Sequence, residues 1–308
     1  MRVVGAAEID AALSFPTLID ALAEAFRAGL TTPTRHHHEI ARNGAPATLL
    51  LMPAWGGGFL GVKVVSVFPD NGAKGLPSVL GTYLLMDGDT GAPLAALDGT
   101  RLTLWRTAAA SALAARHLAR PEARRMVMVG AGALAPFLIR AHRSVRPIEA
   151  VALWNHRPEK AQALAETLRA EGLPVEAVTD LEAAVRAADL VSCATLSAAP
   201  LVRGAWLKPG THLDLVGAFN LHMREADDEA LRRAAIHVDT PAALSEGGDV
   251  ALALKAGAID RAQVRGDLAD LCTGRISGRD SGDRITLFKS VGTALEDLAA
   301  AVAVYRAG

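Results

Sequence analysis

The stretch Met126-Val127-Met128-Val129-Gly130-Ala131-Gly132-Ala133-Leu134-Ala135 decides the fold. An apolar strand runs into the pattern G-x-G-x-x-A, and a helical pattern follows it. Gly130 allows a tight turn, Gly132 removes a side chain where a pyrophosphate must approach the backbone, and Ala135 keeps the helix close to the sheet. The helix N-terminus offers free N–H groups to phosphates. The stretch therefore predicts a dinucleotide-binding loop at Gly130, Ala131, Gly132, Ala133 and Leu134. An ordinary glycine-rich strand–helix turn is the alternative.

The next strand indicates which dinucleotide is bound. Residues 150–154 are apolar and lead into Asn155-His156-Arg157. An NAD-preferring site usually has Asp or Glu at the position of Asn155, because a carboxylate accepts hydrogen bonds from the adenosine ribose. A carboxylate would repel a 2′-phosphate, whereas the guanidinium of Arg157 can pair with it. We therefore expect these three residues to contact the cofactor, with NADP(H) preferred and NAD(H) as the alternative. The competing interpretation is that Arg157 is a solvated residue at the start of a helix.

The composition excludes several classes of partner. The chain has 308 residues, with 32 Lys and Arg against 33 Asp and Glu, so its charge gives no reason to expect nucleic acid or an anionic membrane as a partner. No apolar run reaches the roughly 20 residues of a membrane span, and no basic segment followed by an apolar run opens the chain. Cys193 and Cys272 form no metal-binding or redox pattern. We expect a cytoplasmic protein.

Strand and helix patterns divide the chain into two parts. Over residues 119–289, near-continuous apolar strands alternate with helices, which predicts a Rossmann-type, doubly wound parallel sheet of the α/β class. Residues 1–118 instead show short strands punctuated by glycine, which predicts a mixed α+β domain. Residues 290–308 contain the pattern of an alanine-rich helix, and we expect this segment to return to the first domain. The nucleotide-binding domain would then be inserted into a substrate-binding and dimerisation domain.

Individual elements follow from the same patterns. In the first part they are a helix over 15–28, strands over 47–52, 59–67 and 79–87, and helices over 103–118 and 291–305. In the second part, Asp180 is expected to cap a helix over 181–188.

Two cations lie in apolar surroundings outside the glycine loop. Lys63 interrupts an apolar strand, and alternation puts it on the face opposite Val62 and Val64. Its ammonium can hold a carboxylate or polarise a carbonyl or imine, and a solvated lysine on an edge strand is the alternative. Arg106 opens a helical run of small residues, where its planar fork can hold a carboxylate with two hydrogen bonds. A surface salt bridge is the alternative for Arg106.

Other polar residues are weaker candidates. His36, His37 and His38 suggest a metal site at first, but we find no third ligand to join His36 and His38 on their shared strand face, and we expect no metal. Arg35 is a further candidate for holding a carboxylate. Thr195 and Ser197 follow an apolar strand, at the end of the sheet where the nicotinamide half of a dinucleotide lies.

Together these residues resemble the ornithine cyclodeaminase/mu-crystallin family, and the resemblance covers nearly the whole chain. The motifs that carry it are Gly61-Val62-Lys63, the Asp87…Thr90-Gly91 turn, Leu102-Thr103…Arg106-Thr107-Ala108-Ala109, Gly130-Ala131-Gly132 and Phe288-Lys289-Ser290-Val291-Gly292. The resemblance implies a homodimer, built through the N-terminal domain, with a nicotinamide cofactor in each subunit. It also implies that Arg35, Lys63 and Arg106 surround a substrate carboxylate, and that Ser78, Arg106, Thr195, Ser197 and Ser290 fall near the cofactor.

One departure from the family narrows the activity. Cyclodeaminases of this family carry a catalytic aspartate shortly after a Val-Gly pair, and here Phe219 takes that place after Val216-Gly217. Phenylalanine can neither accept a proton nor orient an amine, so cyclodeamination is disfavoured. The loop instead looks like that of the cyclic ketimine reductases, which reduce Δ1-pyrroline-2-carboxylate, and often Δ1-piperideine-2-carboxylate, to proline or pipecolate.

The resemblance leads to a hypothesis of hydride transfer from NADPH to C2 of a cyclic imino acid. Arg35 and Arg106 would hold the carboxylate, and Lys63, as the catalytic residue, would lie close to both carboxylate and imine. Phe219 would be an apolar wall against the ring. Three alternatives stay open: an alanine dehydrogenase-like enzyme, an ornithine cyclodeaminase, and a mu-crystallin-like protein that binds NADPH and a ligand without turnover.

Overall fold

The chain folds into two compact units. A computed structural model describes residues 1–308. One unit comprises Met1–Thr107 with Thr293–Gly308, and the other comprises Ala108–Gly292. The first boundary falls inside a long helix, whereas the boundary that we propose from the sequence, after residue 118, lies at the end of that helix.

After the first hundred residues most strands of the chain are followed by a helix. Up to residue 118 the elements are β1 (Arg2–Val4), α1 (Ala6–Ala12), α2 (Phe15–Ala28), β2 (His36–Ile40), β3 (Ala47–Gly56), β4 (Phe59–Val67), β5 (Val79–Asp87), β6 (Pro93–Asp98) and α3 (Gly99–Leu118). They continue with β7 (Arg125–Val129), α4 (Ala135–Val145), β8 (Ala150–Trp154), α5 (Pro158–Ala170), β9 (Val175–Ala177), α6 (Leu181–Ala187), β10 (Leu190–Cys193), β11 (His212–Leu215), α7 (Asp228–Arg233), β12 (Ala234–Val238), α8 (Ala243–Glu246), α9 (Gly248–Lys255), β13 (Val264–Asp267), α10 (Leu268–Thr273), β14 (Ile285–Lys289) and α11 (Ala294–Ala307).

The first unit combines helices with a six-stranded mixed sheet, which agrees with the predicted α+β domain. Its strand order is β1-β6-β5-β4-β3-β2, with β1 parallel to β6 and every other pair antiparallel. The turn between β5 and β6 closes on Asp87, whose carboxylate accepts hydrogen bonds from the backbone and the hydroxyl of Thr90 at 2.8 and 2.7 Å. Gly91 follows with a φ of 70°, a value that glycine adopts without strain. Strands β4 and β5 have the predicted bounds, and β3 extends four residues further than predicted, to Gly56.

The helices of this unit pack through apolar faces. The hydroxyl of Ser14 caps α2 at its start, and Gly29, with a φ of 68°, ends it. Residues Leu18, Ile19 and Leu22 form the fully buried side of α2, which contacts α11. The predicted bounds of α2 are therefore confirmed. Helix α11 begins at Ala294 rather than at 291, because Thr293 caps it.

Helix α3 starts earlier than predicted. It begins at Gly99 rather than at 103, because the carboxylate of Asp98 accepts a hydrogen bond from the N–H of Arg101 at 2.8 Å. Arg106 consequently lies inside the helix rather than at its start.

The second unit is built on a fully parallel eight-stranded sheet in the order β13-β12-β14-β11-β10-β7-β8-β9. From β7 the chain proceeds outward to β8 and β9, and then returns to the other side of β7 as β10 and β11. This reversal is the topological switch of a doubly wound sheet. Together with the mixed sheet of the first unit, it confirms the predicted fold class.

Several local predictions for this unit are also confirmed. Asp180 caps α6, accepting a hydrogen bond from the N–H of Ala183 at 3.0 Å. Strand β10 is fully buried and ends at Cys193, so Thr195 lies in the loop beyond it, as predicted. No helix of the chain combines the length and the apolar character needed to cross a membrane.

Candidate active site

The glycine loop has the geometry of a phosphate-binding turn. Gly130 adopts a φ of 110°, and a Cβ at this position would lie 2.6 Å from the carbonyl oxygen of Ala194. A Cβ at Gly132 would meet no atom within 4 Å, so the space beside its backbone is open to a ligand. Ala135, the first residue of α4, is 1 % exposed. The three small residues thus occupy positions suited to the turn, the ligand and the helix packing, respectively.

A cleft of about 530 Å³ extends from this loop along the ends of β7, β8 and β10. It is lined by Gly130, Ala131, Gly132, Trp154, Asn155, His156, Arg157, Lys160, Ala194, Thr195, Leu196, Ser197 and Leu201. The structure thus brings together eight of the predicted cofactor-binding residues. Ala133 and Leu134 continue the chain into α4 without lining the cleft. Ser290 is buried after β14, and its N–H donates to the carbonyl of Leu215.

The end of the cleft at β8 carries two cations and no carboxylate. Arg157 is exposed, and its Nε lies 3.3 Å from Nε2 of His156. Lys160, in the first turn of α5, was not predicted from the sequence, although it stands only three residues beyond Arg157. The open backbone at Gly132 leaves room for the pyrophosphate of a dinucleotide. Arg157 and Lys160 provide positive charge that favours a phosphate group at the β8 end of the cleft.

The buried carboxyl group of Glu225 supports the loop after β10. Oε1 of Glu225 accepts hydrogen bonds from the backbone N–H and the hydroxyl of Thr195, at 2.7 and 2.8 Å. The N–H groups of Glu225 and Ala226 donate to Asp249 at 2.7 and 3.0 Å. Burial raises the pKa of Glu225 to about 8, against the opposing effect of the Lys289 ammonium. Sequence reasoning missed Glu225, because nothing in the sequence shows that it reaches Thr195.

Lys289 holds the neighbouring loop. Its ammonium is fully buried and donates to the carbonyl oxygens of Leu215, at 3.2 Å, and of Gly217. It also forms an ion pair with Asp249 at 3.4 Å. The loop continues through Ala218, whose φ of 45° is strained for a residue with a side chain. Phe219 follows and is 48 % exposed.

Lys63 in the first unit is a core residue. It is 2 % exposed and belongs to β4, an interior strand of the mixed sheet. Gly61, Lys63 and Val65 form the buried side of β4, so the predicted alternation is correct. The interpretation of Lys63 as a solvated lysine on an edge strand is therefore wrong.

Two carboxylates of α11 pair with Lys63 and Arg106. Oδ1 of Asp297 lies 2.8 Å from Nζ of Lys63 and 3.0 Å from Nε of Arg106, and its Oδ2 lies 2.7 Å from Nζ. Nη1 of Arg106 donates to Glu296 at 2.7 Å. Arg106 is 6 % exposed and both carboxylates are fully buried. The alternative interpretation, in which Arg106 forms a surface salt bridge, is therefore wrong.

Glu296 and Asp297 were missed by sequence reasoning. The available signal was an acidic pair inside an otherwise apolar, alanine-rich helix, where buried charges require partners.

The cluster shifts the protonation of Lys63. Burial lowers the pKa of Lys63 to about 8, and Arg106 adds to this effect, while Asp297 opposes it. Burial by itself would raise the pKa of Asp297, but Lys63 and Arg106 outweigh this and hold it below its ordinary value. Tyr83, cross-strand from Lys63, remains a neutral phenol because burial raises its pKa well above the ordinary value.

Arg35 directly precedes β2 and is half-buried. Since His36 pairs with Leu51, continuing this register by one residue places Arg35 opposite Met52, which pairs with Lys63. Strands lie about 4.8 Å apart, so the backbones of Arg35 and Lys63 are roughly 10 Å apart. Two side chains of this length can therefore approach one small carboxylate.

The remaining candidates of the first unit lie in exposed segments. Ser78 is exposed, and its hydroxyl lies 3.5 Å from the carbonyl oxygen of Pro69. His36 and His38 lie on exposed β2 with ring centroids 6.4 Å apart. No group of three or more His, Cys, Asp or Glu side chains is arranged to hold a metal ion.

Comparison with known proteins finds relatives in sequence and in fold that cover most of this chain. Δ1-pyrroline-2-carboxylate reductase of Paracoccus denitrificans is 43 % identical over 278 residues, covering 89 % of this chain and 88 % of the relative. The structure of Thermococcus litoralis Δ1-pyrroline-2-carboxylate reductase in complex with NADH and L-proline superposes with a TM-score of 0.94 at 34 % identity, covering 100 % of this chain and 97 % of that one. An archaeal alanine dehydrogenase dimer with bound NAD superposes with a TM-score of 0.93 at 31 % identity, covering 100 % and 95 %.

The family assignment rests on the whole chain. Residues 2–307 match the model of the ornithine cyclodeaminase/mu-crystallin family. The match includes both the glycine loop of the second unit and the Lys63–Arg106 cluster of the first. The chain belongs to the ornithine cyclodeaminase/mu-crystallin family.

Proposed function

We propose that this protein reduces a cyclic ketimine carboxylate with NADPH, converting Δ1-pyrroline-2-carboxylate, Δ1-piperideine-2-carboxylate or both to L-proline or L-pipecolate. The observation that carries the proposal is the buried cluster in which Asp297 joins Lys63 and Arg106. Two adjacent buried cations suit a substrate that carries a carboxylate beside its reacting carbon. The relatives named above support an oxidoreductase that acts on carbon–nitrogen bonds with a nicotinamide cofactor.

The cleft at the glycine loop is the proposed cofactor site. The open backbone at Gly132 would hold the pyrophosphate, and Asn155, His156 and Arg157 would contact the adenosine end. We propose NADP(H) over NAD(H), because Arg157 and Lys160 provide positive charge where no carboxylate stands. When bound, the cofactor supplies the hydride.

Lys63, Arg106 and Arg35 are the proposed substrate-binding residues. Arg106 and Arg35 would bind the carboxylate and so orient C2 toward the hydride donor, because the reacting atoms must approach to about 3 to 3.5 Å. Lys63, with a pKa of about 8, is largely protonated at neutral pH. It can therefore hydrogen-bond to the carboxylate and donate a proton toward the imine nitrogen. If the imine is already protonated when it binds, Lys63 would need to supply only its positive charge and no proton.

The proposal includes a homodimer in the cytoplasm. The archaeal alanine dehydrogenase relative is described as a dimer, which supports the oligomeric state. Both cysteines are buried as free thiols, which suits a reducing compartment.

An alanine dehydrogenase-like activity is the second candidate, supported by the fold similarity to that enzyme. It would use the same cluster for the carboxylate of an open-chain substrate and would have to accept free ammonia. Cyclodeamination is a weaker candidate, because Phe219 cannot exchange a proton. A protein that binds NADPH and ligand without turnover is the remaining alternative.

The test measures the consumption of NADPH or NADH in the presence of each of the two cyclic imines. The loss of reduced-nicotinamide absorbance reports the reaction. Turnover supports the proposal, and the rate ratios give ring size and cofactor preference. Turnover only with pyruvate and ammonia would favour the second candidate. NADPH binding with no turnover of any of these substrates, or of ornithine, would contradict the proposed enzyme.

A further inference from the structure

We propose that Asp297 is the positioning residue of the substrate site, holding the Lys63 ammonium and the Arg106 guanidinium side by side. The inference rests on the proposed function in one respect only, namely that these two cations bind the substrate. Its structural part, the dependence of Lys63 on Asp297, can be tested without any substrate.

The geometry identifies Asp297 as the bridge. Its Oδ1 accepts from both cations, at 2.8 Å from Lys63 and 3.0 Å from Arg106, while its Oδ2 contacts Lys63 again at 2.7 Å. All three side chains are buried, so water screens neither the attraction to the carboxylate nor the repulsion between the cations. A carboxylate between two adjacent cations both fixes their orientation and offsets their mutual repulsion.

The other groups that face Lys63 cannot replace Asp297. From α3, Arg106 is repulsive and the Thr103 hydroxyl is a neutral acceptor 3.4 Å from Nζ. From β5, Tyr83 remains a neutral phenol. From α11, Glu296 pairs with Arg106 and is the weakest of the electrostatic influences on Lys63. On β3, the cross-strand neighbour Met52 carries no charge.

The arrangement provides a matched pair of variants. Asp297→Asn removes the negative charge that contacts both cations, and Glu296→Gln removes an equally buried negative charge that contacts Arg106. Losing an opposite charge favours the neutral form of a lysine. Lys63 should therefore lose its proton at lower pH in Asp297→Asn, and much less so in Glu296→Gln. Asp297→Glu keeps the charge but displaces it by one methylene.

The first readout is a pH titration of isotope-labelled lysine side chains by NMR, without substrate and with the Lys63 signal assigned through Lys63→Met. We expect the midpoint of Lys63 to fall by about 1 to 3 pH units in Asp297→Asn. It should fall by less than half as much in Glu296→Gln, and stay close to the wild-type value in Asp297→Glu. An unchanged midpoint in Asp297→Asn, or an equal fall in both variants, would overturn the proposal.

The second readout is the pH profile of kcat/KM for imine reduction. Deprotonation of Lys63 should set the alkaline limb of the wild-type profile, and this limb should move to lower pH in Asp297→Asn and much less in Glu296→Gln. At neutral pH, a fall of about 1 to 3 units from a midpoint near 8 lowers the charged fraction of Lys63 by roughly 2- to 90-fold, and kcat/KM of Asp297→Asn should fall by a similar factor. An unmoved limb would overturn the positioning role.

The two readouts separate the two hypotheses. If wild-type protein does not reduce the imines, the proposed function fails, while the lysine titration still decides the role of Asp297. If Asp297→Asn does not fold, Asp297→Glu decides: the proposal expects a raised KM for the imine with the Lys63 midpoint retained. A wild-type KM in Asp297→Glu would overturn it.

Discussion

Thr195 donates both its backbone N–H and its hydroxyl to one oxygen of Glu225, over 2.7 and 2.8 Å. The hydrogen of the hydroxyl is therefore committed to this carboxyl oxygen, and only oxygen lone pairs remain to face the cleft that Thr195 lines. Thr195 should act as an acceptor for a donor on the cofactor, such as a ribose hydroxyl or an amide.

Replacing Thr195 by Val removes this acceptor at nearly constant volume. We expect the dissociation constant for NADPH to rise about two- to tenfold, the value of one ordinary hydrogen bond. Fluorescence titration of the cofactor provides the measurement. Thr195→Ser keeps the hydroxyl and should stay within about twofold of wild type. Equal affinities for the Val variant and wild type would show that the hydroxyl makes no cofactor contact.

Replacing Lys63 by Met removes the ammonium while keeping a side chain of similar length. If Lys63 contacts the substrate, kcat/KM for the imine should fall about a hundredfold or more, as expected for loss of a proton donor or an electrostatic stabiliser. NADPH affinity should change much less. Steady-state kinetics and cofactor titration separate the two effects. Lys74→Met, at an exposed lysine of the same unit, is the control, and a Lys63→Met enzyme of wild-type rate would eliminate the assigned role.

The sequence could predict features that depend on near neighbours. The Asp180 cap and the inward face of Lys63 follow from local spacing, and both appear in the structure. The glycine loop likewise carries its own geometry in consecutive residues. Asp297 was missed because it meets Lys63 from 234 positions away, and no local pattern encodes such a contact. Glu225 was missed for the same reason.

The prediction of α3 was wrong for a different reason than distance along the chain. The helix begins at Gly99 rather than at 103. Propensity favours a helix beginning within the apolar run, but the Asp98 side chain satisfies the N–H of Arg101 and lets the helix start at Gly99. A capping residue thus outweighed the low helix propensity of glycine.

Arg157 and Lys160 should determine cofactor preference through the 2′-phosphate. Replacing either by Ala should weaken NADPH binding about three- to tenfold, in a salt-dependent manner, because both side chains are exposed. NADH lacks this phosphate, and its affinity should hardly change. Parallel titrations with the two cofactors provide the measurement. Arg169→Ala, at an exposed arginine near the far end of α5, is the control. Equal losses for NADH and NADPH would contradict a 2′-phosphate site.

Gly132 and Gly61 should respond differently to the same added methyl group. A Cβ at Gly132 would meet no protein atom within 4 Å, so Gly132→Ala should leave the free energy of unfolding within about 0.5 kcal/mol of wild type. The methyl would nevertheless occupy the space where the pyrophosphate approaches, and NADPH affinity should fall about tenfold or more.

At Gly61 the added Cβ would lie 2.1 Å from the buried hydroxyl oxygen of Tyr83. Gly61→Ala should therefore lower the free energy of unfolding by about 1 to 3 kcal/mol, the usual range for overpacking a core. Denaturant unfolding measures both variants, and cofactor titration separates stability from binding. If Gly132→Ala kept wild-type NADPH affinity, the pyrophosphate could not bind against this backbone, and the proposed cofactor position would be wrong.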